Sequence, residues 1–258
     1  MQYNLADLLE IATRAARAAA EIHREGMERG GLGVETKRTA LDLVTEIDRA
    51  AERELVKVIH AARPEDAIIG EEGTNVSGDS RVRWILDPLD GTVNFIHHYP
   101  AHSVAIGVEI DGVRSIGVVH DSYNNNVYAG IVGSGATCNG NPISVGSETD
   151  LTRALVGTGF LPDAGVRERQ ADLLRRVLPR VRDIRRSGCP SLDICSVAAG
   201  KLDAFYEYGL GPWDIAGAAA IAEAAGAKVL LRESTDLPSP LLVVANEELA
   251  DGLVPLLT

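Results

Sequence analysis

The sequence is poor in the features that mark secreted, membrane-bound and nucleic-acid-binding proteins. Its 258 residues include three cysteines, Cys138, Cys189 and Cys195, and these form no CxxC pair. An odd number of dispersed cysteines supplies neither a disulfide framework nor a cysteine zinc site, so three reduced thiols are expected. Basic residues are in the minority, with 25 Lys and Arg against 37 Asp and Glu, and the formal charge is −12. Long-range repulsion therefore opposes nucleic acid or an anionic membrane as the main partner.

Long apolar runs are also missing. The N-terminal segment carries charges throughout its apolar pattern, whereas a secretory signal needs an uninterrupted apolar stretch. No stretch approaches the roughly 20 apolar residues of a membrane span. No repeat, low-complexity tract or long flexible linker divides the chain. We therefore expect a globular, cytoplasmic protein with no membrane partner, in which any lobes share an interface.

The apolar residues that are present follow helical periodicity in the first quarter of the chain. Hydrophobic residues make up 45% of the sequence, enough for a substantial core. Their spacing predicts an amphipathic helix over residues 5–27. A second helix is predicted from Thr45, which stands three residues before Asp48 as in a capping arrangement, to about Ala62.

The sequence pattern then changes to short apolar runs separated by turn residues. Asp-Gly at 111–112 and Asn-Gly at 139–140 mark hairpins, so residues 84–145 are predicted to form an antiparallel meander. Beyond the meander, strand and helix patterns alternate to the end of the chain. We expect an α+β lobe over residues 1–145 and an α/β lobe over residues 146–258.

The run from Asp87 to Thr92, DPLDGT, concentrates residues suited to chemistry. Pro88 favours extended geometry in the residue before it, so Asp87 is predicted at the last position of a strand. The turn brings the carboxylate of Asp90 beside the first, and Gly91 lacks a Cβ where a ligand would approach the backbone. Thr92 is predicted at a helix N-terminus, whose N–H groups and positive dipole end form an anion site.

Two carboxylates beside an anion site would repel a phosphate unless divalent cations bridge them. Two more acidic residues fit the same site: Glu71 at the end of the preceding strand, and Asp214 where Pro212 introduces a helix. Together with Asp87 and Asp90 they could hold two Mg²⁺ or Mn²⁺ ions about 4 Å apart, which prefer oxygen ligands. Such ions would clamp a phosphate and activate water for in-line attack without a covalent nucleophile.

Six motifs in a fixed order extend over nearly the whole chain. They are DLVTEID at 42–48, GEE at 70–72, WILDPLDGTVNF at 84–95, GATCNGNPISV at 135–145, YEYGLGPWDIAG at 206–217 and VANEEL at 244–249. Their combination closely resembles the inositol monophosphatase family of Mg²⁺-dependent, lithium-sensitive phosphatases. The resemblance implies a layered αβαβα sandwich of the inositol monophosphatase and fructose-1,6-bisphosphatase type, a homodimer, and hydrolysis of a small polyol phosphate, above all inositol 1-phosphate.

The resemblance also implies which residues bind metal. Glu71, Asp87 and the main-chain carbonyl of Leu89 would bind a first Mg²⁺ ion. A second would be bound by Asp87, Asp90 and Asp214. A third, weaker ion is part of the same expectation.

Further roles follow from the same resemblance. Glu71 and Thr92 would orient the attacking water, while the amides of Gly91 and Thr92 would hold phosphate oxygens. Asp48 would act in an outer shell near the third metal. Lys37 would lie in a mobile loop over the phosphate.

The residues that select the alcohol are harder to interpret. By resemblance, Glu207 would hydrogen-bond substrate hydroxyls and Asp90 would face the same group. A backbone N–H that the family offers to a substrate hydroxyl falls at Pro190, which has no N–H to donate. Inositol 1-phosphate therefore stays open beside histidinol phosphate, other sugar or cyclitol phosphates and 3′-nucleotides. A regulatory, partner-binding role, attributed to some bacterial members of the family, is a less favoured alternative.

Plainer interpretations compete for several of these residues. Asp48 and Asp214 each stand at a helix start, where Asp is a preferred cap, and Pro190 suits the first turn of a helix. His97 and His98 are adjacent, and adjacent side chains on a strand point to opposite faces, so they are poorly placed to share a metal. A basic patch could bind an anion, although solvated salt bridges are the favoured interpretation on an acidic protein. Its members are Arg175, Arg176, Arg180, Arg182, Arg185 and Arg186.

Overall fold

The structure is a computed structural model that describes residues 3–29, 33, 35–36 and 43–258. Its α-helices are α1 (Leu5–Arg29), α2 (Glu46–Ala62), α3 (Thr92–Ile96), α4 (Ala164–Val177), α5 (Pro190–Ala198), α6 (Pro212–Ala224) and α7 (Glu247–Leu257). Short 3₁₀ turns cover Leu151–Arg153 and Leu178–Arg180.

The strands form one small pair and two large sheets. The pair is β1 (Glu35–Thr36) and β2 (Leu43–Val44). The first sheet contains β3 (Ala67–Gly70), β4 (Asn75–Val76), β5 (Val82–Asp90), β6 (Ser103–Ile110), β7 (Val113–Asp121), β8 (Asn126–Ile131), β9 (Gly135–Cys138) and β10 (Asn141–Ile143). The second contains β11 (Leu155–Thr158), β12 (Asp183–Arg185), β13 (Ala204–Tyr208), β14 (Lys228–Arg232) and β15 (Leu241–Ala245).

The first two long helices form as the sequence pattern predicts. Helix α1 buries the side of Leu8, Ala12 and Ala15 and leaves its charged side in water. Helix α2 begins after Thr45, whose Oγ1 accepts the N–H of Asp48 at 3.4 Å, while Oδ2 of Asp48 accepts the N–H of Thr45 at 2.8 Å. The predicted capping arrangement is therefore confirmed. In the described part of the chain, no helix is long and apolar enough to cross a membrane.

The eight-stranded sheet has the order β10-β9-β8-β7-β6-β5-β3-β4 and is antiparallel from β5 to β10, which confirms the predicted meander. Both predicted hairpins form, and both residues of each turn, at 111–112 and 139–140, have positive φ as a two-residue turn of this kind requires. Strand β3 is parallel to β5, so their carboxyl ends meet at one edge of the sheet. The five-stranded sheet, β12-β11-β13-β15-β14, is mixed.

Helices cover the outer faces of both sheets. Helices α1 and α2 pack on the eight-stranded sheet in a hydrophobic cluster that includes Leu55 and Trp84. Helices α4 and α7 pack on the far face of the five-stranded sheet, where Leu173 and Leu253 meet Val243. Removing apolar surface from water stabilises the fold by about 25 cal/mol for each Å² buried, and it is the main favourable contribution to folding.

Helices α5 and α6 form the middle layer between the two sheets. Ile194 and Ile221 belong to a buried cluster that also contains Val119 of the first sheet and Phe205 of the second. The order of layers is helix, sheet, helix, sheet, helix, which confirms the predicted αβαβα sandwich. The division into lobes near residue 145 stays a prediction, because this cluster joins residues from both sides of it.

A row of three glycines sets how closely α6 approaches the eight-stranded sheet. Gly107, Gly117 and Gly130 lie opposite one another on β6, β7 and β8. A Cβ at Gly107 would lie 2.5 Å from the Cβ of Ala216, and a Cβ at Gly117 would collide with the carbonyl oxygen of Gly217. The helix backbone therefore lies against the sheet where any larger residue would displace it.

Two local predictions were wrong. Strand β5 does not end at Asp87 but continues to Asp90, because an irregularity in the pairing with β6 accommodates the extra residue beside Pro88 and pairing resumes at Asp90. His97 and His98 do not lie on a strand; they follow α3 in a turn and are exposed. Strand geometry therefore does not hold the two imidazoles apart.

Candidate metal centre and active site

Three carboxylates from two separate elements meet at one edge of the eight-stranded sheet. Asp87 and Asp90 come from the last part of β5, and Asp214 comes from the first turn of α6. Each of the three carboxylates offers one oxygen atom, and these three oxygen atoms all lie within 4.8 Å of one another. Asp87 is fully buried and Asp90 is 5% exposed. The structure thus brings together three of the predicted metal ligands.

Asp87 has an unusual electrostatic environment. Its Oδ1 accepts the N–H of Leu89 at 3.1 Å, while Oδ2 is buried and has no hydrogen-bond partner among the described residues. Burial, followed by the charges of Glu71, Asp90 and Asp214, raises the pKa of Asp87 well above its ordinary value. A buried, unpartnered carboxylate oxygen among like charges is strongly unfavourable unless a cation compensates it. This set of oxygen donors fits a divalent metal ion.

Asp90 is oriented by the start of helix α5. Its Oδ2 accepts the N–H of Ser191 at 2.7 Å and the S–H of Cys189 at 3.1 Å. Burial raises the pKa of Asp90, and these hydrogen bonds partly offset the effect. Burial also raises the pKa of the Cys189 thiol well above its ordinary value, so the thiol stays protonated and can donate.

Asp214 does cap a helix, as the plainer interpretation predicts. Its Oδ2 accepts the N–H of Gly211 at 2.6 Å, which fixes the first turn of α6. The same carboxylate is a member of the cluster with Asp87 and Asp90. Capping and membership of the cluster therefore do not exclude one another.

Asp48 likewise caps a helix and contacts the candidate site. Its Oδ2 caps α2 through Thr45, and its Oδ1 accepts the hydroxyl of Thr92 at 3.0 Å. The Thr92 hydroxyl also lies 3.1 Å from the carbonyl oxygen of Leu89. Asp48 is 1% exposed, so the chain Thr45–Asp48–Thr92 holds the hydroxyl in one place.

Gly91 allows the chain to turn from β5 into α3. Its φ is +86°, in the left-handed region that favours glycine, and a Cβ would lie 2.8 Å from the carbonyl oxygen of Ala101. Helix α3 then begins at Thr92, as predicted. The amides of these two residues therefore stand at a helix start beside the carboxylates.

Glu71 follows directly after β3, at the same sheet edge as the end of β5. The turn that carries it is held by Glu52 of α2, a residue that the sequence analysis missed. Oε2 of Glu52 accepts the N–H of Glu72 at 2.8 Å, and Oε1 accepts the N–H and the hydroxyl of Thr74 at 3.0 and 2.7 Å. One signal was available in the sequence: Glu52 is four residues after Asp48, on the same face of the helix.

A cavity of about 720 Å³ connects these groups. Seven predicted site residues line it: Glu71, Asp90, Gly91, Thr92, Pro190, Glu207 and Asp214. Asp48, Asp87 and Leu89 lie behind this lining, as their burial and contacts indicate. Lys37 lies outside the described residues, and its place over the phosphate stays a prediction.

The comparison with known proteins agrees with this geometry. A model of the inositol monophosphatase family matches residues 4–258. The chain belongs to the inositol monophosphatase family. An inositol-1-monophosphatase of Mycobacterium bovis is 41% identical over an alignment of 248 residues, and the match covers 90% of this chain and 86% of that protein.

Other similar proteins in this family carry different names. A Pseudomonas aeruginosa protein named Nus factor SuhB is 39% identical over an alignment of 232 residues, and the match covers 86% of this chain and 84% of that protein. The crystal structure of the extragenic suppressor protein suhB from Bartonella henselae has a TM-score of 0.90 and 31% identity, and the match covers 98% of each chain. The predicted family and its fold are thereby confirmed.

Away from the carboxylate cluster, the cavity of this inositol monophosphatase fold is lined by different kinds of residue. Glu207 of β13 is 6% exposed, and burial, followed by the charges of Asp214 and Asp90, raises its pKa well above its ordinary value. Pro190 is the first residue of α5, where its missing N–H leaves no helical bond unmade. The remaining lining is apolar or cationic and comprises Val93, Phe160, Leu161, Pro162, Arg167, Ala171, Leu174, Arg186, Gly188 and Leu210.

Proposed function

We propose that this protein is a Mg²⁺-dependent phosphomonoesterase that hydrolyses a small polyol phosphate, with inositol 1-phosphate as the first candidate. The observation that carries the proposal is the cluster of Asp87, Asp90 and Asp214, in which one buried carboxylate oxygen has no hydrogen-bond partner among the described residues. A divalent cation at this cluster would neutralise its repulsion and provide an anchor for phosphate.

We assign the metal ligands as the family resemblance implies. Glu71, Asp87 and the carbonyl of Leu89 would hold one Mg²⁺ ion, and Asp87, Asp90 and Asp214 a second. Mn²⁺ could replace Mg²⁺ because both prefer oxygen ligands. When bound, the ions supply Lewis-acid stabilisation of negative charge on phosphate and lower the pKa of water.

The chain's own groups would position the reactants. In this proposal Glu71 and the hydroxyl of Thr92 orient the attacking water. Asp48 accepts the Thr92 hydrogen bond and so fixes the direction in which the threonine oxygen presents its lone pairs. In this proposal the amides of Gly91 and Thr92 hold phosphate oxygens. Lys37, which lies outside the described residues, would contribute a positive charge near the phosphate if the family resemblance holds at that position.

The alcohol would be recognised by Glu207 and Asp90, whose carboxylates can accept hydrogen bonds from hydroxyl groups. Pro190 supplies no N–H to that group, so the substrate range stays open to other cyclitol or sugar phosphates, to histidinol phosphate and to 3′-nucleotides. Inhibition by lithium and a homodimeric state are further expectations from the family.

The decisive experiment is a substrate panel with a direct measurement of released phosphate. Inositol 1-phosphate, histidinol phosphate, glycerol 2-phosphate, fructose 1-phosphate and 3′-AMP would each be tested in Mg²⁺ and in EDTA. We expect Mg²⁺-dependent release, fastest with inositol 1-phosphate. The same release in EDTA, or none from any compound in Mg²⁺, would contradict the proposal.

A regulatory role is the second candidate, and the name of the Pseudomonas aeruginosa relative, Nus factor SuhB, is what favours it. The charge of −12 makes a protein partner more plausible than direct nucleic-acid contact. Cells that depend on this protein would be complemented with an Asp87→Asn variant. Full growth without phosphatase activity would support the regulatory role, and failure to grow would favour the enzymatic one.

A further inference from the structure

A buried histidine reaches the turn of the carboxylate cluster from α1, a helix that supplies none of the three carboxylates. His23 lies on the buried side of this helix and is fully buried. Its Nε2 lies 2.9 Å from the carbonyl oxygen of Pro88, and its Nδ1 lies 2.9 Å from Oγ of Ser122, which follows β7. No role for His23 follows from the sequence pattern or from the proposed hydrolysis.

The two hydrogen bonds of His23 have one consistent direction. A carbonyl oxygen only accepts, so Nε2 carries the proton and donates to Pro88. Burial lowers the pKa of His23 to about 3, so the ring is neutral and Nδ1 keeps a lone pair. Ser122 donates its hydroxyl to that lone pair, because the other nearby acceptor, the carbonyl oxygen of His120, is 3.4 Å away. This hydrogen bond fixes both the tautomer and the orientation of the ring.

The carbonyl that His23 binds is half of a peptide group whose other half binds Asp87. The C=O of Pro88 and the N–H of Leu89 belong to one planar unit and point in opposite directions. The N–H of Leu89 donates to Oδ1 of Asp87 at 3.1 Å. A rotation of this peptide group that releases the carbonyl from His23 therefore also turns the N–H away from Asp87.

This peptide group lies where the pairing of β5 with β6 is interrupted. The register pairs Asp87 and Asp90 with residues of β6 but includes neither Pro88 nor Leu89. Pro88 has no N–H to donate and is buried, and a buried carbonyl without a partner would be costly. The side chain of His23 thus supplies a hydrogen bond at a point that the sheet register leaves out.

We infer that His23 is a positioning residue of the metal centre, which acts through the peptide group of Pro88 and Leu89. It holds Asp87 with Oδ1 bound to the backbone, while Oδ2, which has no hydrogen-bond partner among the described residues, is left to a cation. This inference rests on the proposed metal site and adds a residue that orients it. Removal of a group that orients a metal ligand typically costs about 10- to 100-fold in metal affinity.

Binding of Mn²⁺ to the substrate-free protein, measured by electron paramagnetic resonance, tests the inference without turnover. His23→Leu fills the buried space but cannot donate, and should raise the Kd for Mn²⁺ about 10-fold. His23→Gln can place an N–H near the position of Nε2 and should restore most of the affinity, which a purely space-filling role would not require. Equal Kd values for the two variants would contradict the inference.

His102→Leu is the matched control. His102 is 2% exposed, its ring centroid is 5.9 Å from that of His23, and neither of its ring nitrogens has a hydrogen-bond partner in the described part of the chain. Replacing this second buried imidazole should leave the Kd for Mn²⁺ unchanged. A loss equal to that of His23→Leu would show that packing of the rings, and not the hydrogen bond to Pro88, holds the turn.

Ser122→Ala keeps the buried ring and releases only its orientation, so it remains informative if His23→Leu does not fold. It should raise the Kd for Mn²⁺ by a smaller factor, about 3-fold, as expected for one neutral hydrogen bond that acts indirectly. An unchanged Kd in Ser122→Ala would overturn the part assigned to Ser122. If His23→Gln also bound Mn²⁺ no more weakly than wild type in the absence of that hydroxyl, the positioning role would be overturned with it.

Two further measurements separate this inference from the proposed function. Amide hydrogen exchange at Leu89 in the metal-free protein should be about 10-fold faster in His23→Leu and unchanged in His102→Leu. Mn²⁺ binding and exchange that follow the expected order, without phosphate release from any substrate, would retain the positioning role and overturn the phosphatase proposal. Phosphate release by wild type, with Mn²⁺ affinity and Leu89 exchange unchanged in His23→Leu, would overturn the positioning role alone.

Discussion

The two ends of the cavity are built in different ways. At the carboxylate end, Asp87, Asp90 and Asp214 are each tied to a backbone N–H by their own oxygen atoms. At the other end, which Glu207 and Pro190 line and which we call the alcohol end, Arg167 and Arg186 are exposed at the surface. The first arrangement fixes charge in one geometry, whereas the second can change by substitution of single side chains without disturbing the fold. We therefore expect the carboxylate end to tolerate substitution less well than the exposed arginines at the other end.

The largest effect on activity should come from substituting a carboxylate of the cluster. Asp87→Asn should lower Mg²⁺-dependent kcat/KM about 1,000-fold or more, because a metal site contributes several kcal/mol to transition-state stabilisation. Phosphate release would be measured over a Mg²⁺ titration, with circular dichroism to show that the variant is folded. Turnover near that of wild type would rule out Asp87 as a metal ligand.

The same variant should be more stable than wild type when metal is absent. The pKa of Asp87 is raised in the folded protein, so the folded state binds more protons than the unfolded chain, and stability falls as the pH rises above the ordinary carboxyl pKa of about 3.9. Thermal unfolding in EDTA should therefore show a larger advantage for Asp87→Asn at pH 8 than at pH 5. Mg²⁺ should raise the Tm of wild type only. An unchanged pH dependence would show that the carboxyl group is not destabilising.

A smaller loss is expected from removing one hydroxyl at the same end. Thr92→Val keeps the shape of the side chain but not the hydrogen bond to Asp48, and should lower kcat about 100-fold, because a misplaced water attacks poorly. Thr92→Ser retains the hydroxyl and should keep most of the activity. Similar kcat values for the valine and serine variants would exclude a role for the hydroxyl.

Glu52→Gln tests whether the hydrogen bonds that Glu52 accepts are needed to hold the turn that carries Glu71. Glutamine replaces one acceptor oxygen by an NH₂ group, which would face an N–H of Glu72 or Thr74. We expect a loss of about 10-fold in kcat and a higher Mg²⁺ concentration for half-maximal rate, as for other residues that orient metal ligands. Glu54→Gln, on the same helix and paired with Lys57, is the control. A change in Tm with no change in the Mg²⁺ requirement would indicate a purely structural role.

The smallest effect is expected at the alcohol end. Pro190→Ala restores an N–H at the start of α5 and should lower KM for inositol 1-phosphate by about 5-fold at most, since one neutral hydrogen bond contributes about 1 kcal/mol. Pro212→Ala, which opens α6 in the same way, controls for the general effect of losing a proline. A gain of 10-fold or more would make Pro190 a main determinant of substrate choice.

Sequence patterns predicted the carboxylate end well because its residues are adjacent or lie at element ends. Asp87, Asp90 and Thr92 belong to one short run, and the parallel pairing of β3 with β5 brings Glu71 to the same edge. The length of β5 was not predictable in this way, because the pairing with β6 resumes after Pro88 and depends on a neighbouring strand.

The supporting and alcohol-side residues were harder to find. Glu52 acts through main-chain N–H groups of a turn about 20 residues further along the chain, a contact that no local pattern encodes. Arg186 is one of several arginines in its segment, and only the fold distinguishes the one that enters the cavity from Arg185, which pairs with Asp183. Residue type and spacing do not determine which of two adjacent side chains faces inward.

The row of Gly107, Gly117 and Gly130 couples the geometry of the carboxylate cluster to the distance between a helix and a sheet. Helix α6 rests on this row and carries Asp214 at its first turn, whereas Asp87 and Asp90 belong to the sheet itself. A methyl group at Gly117 would push helix α6 away from the sheet. Asp214 would then move away from Asp87 and Asp90. The glycines lie outside the cavity lining, yet they set how far Asp214 stands from the two carboxylates of the sheet.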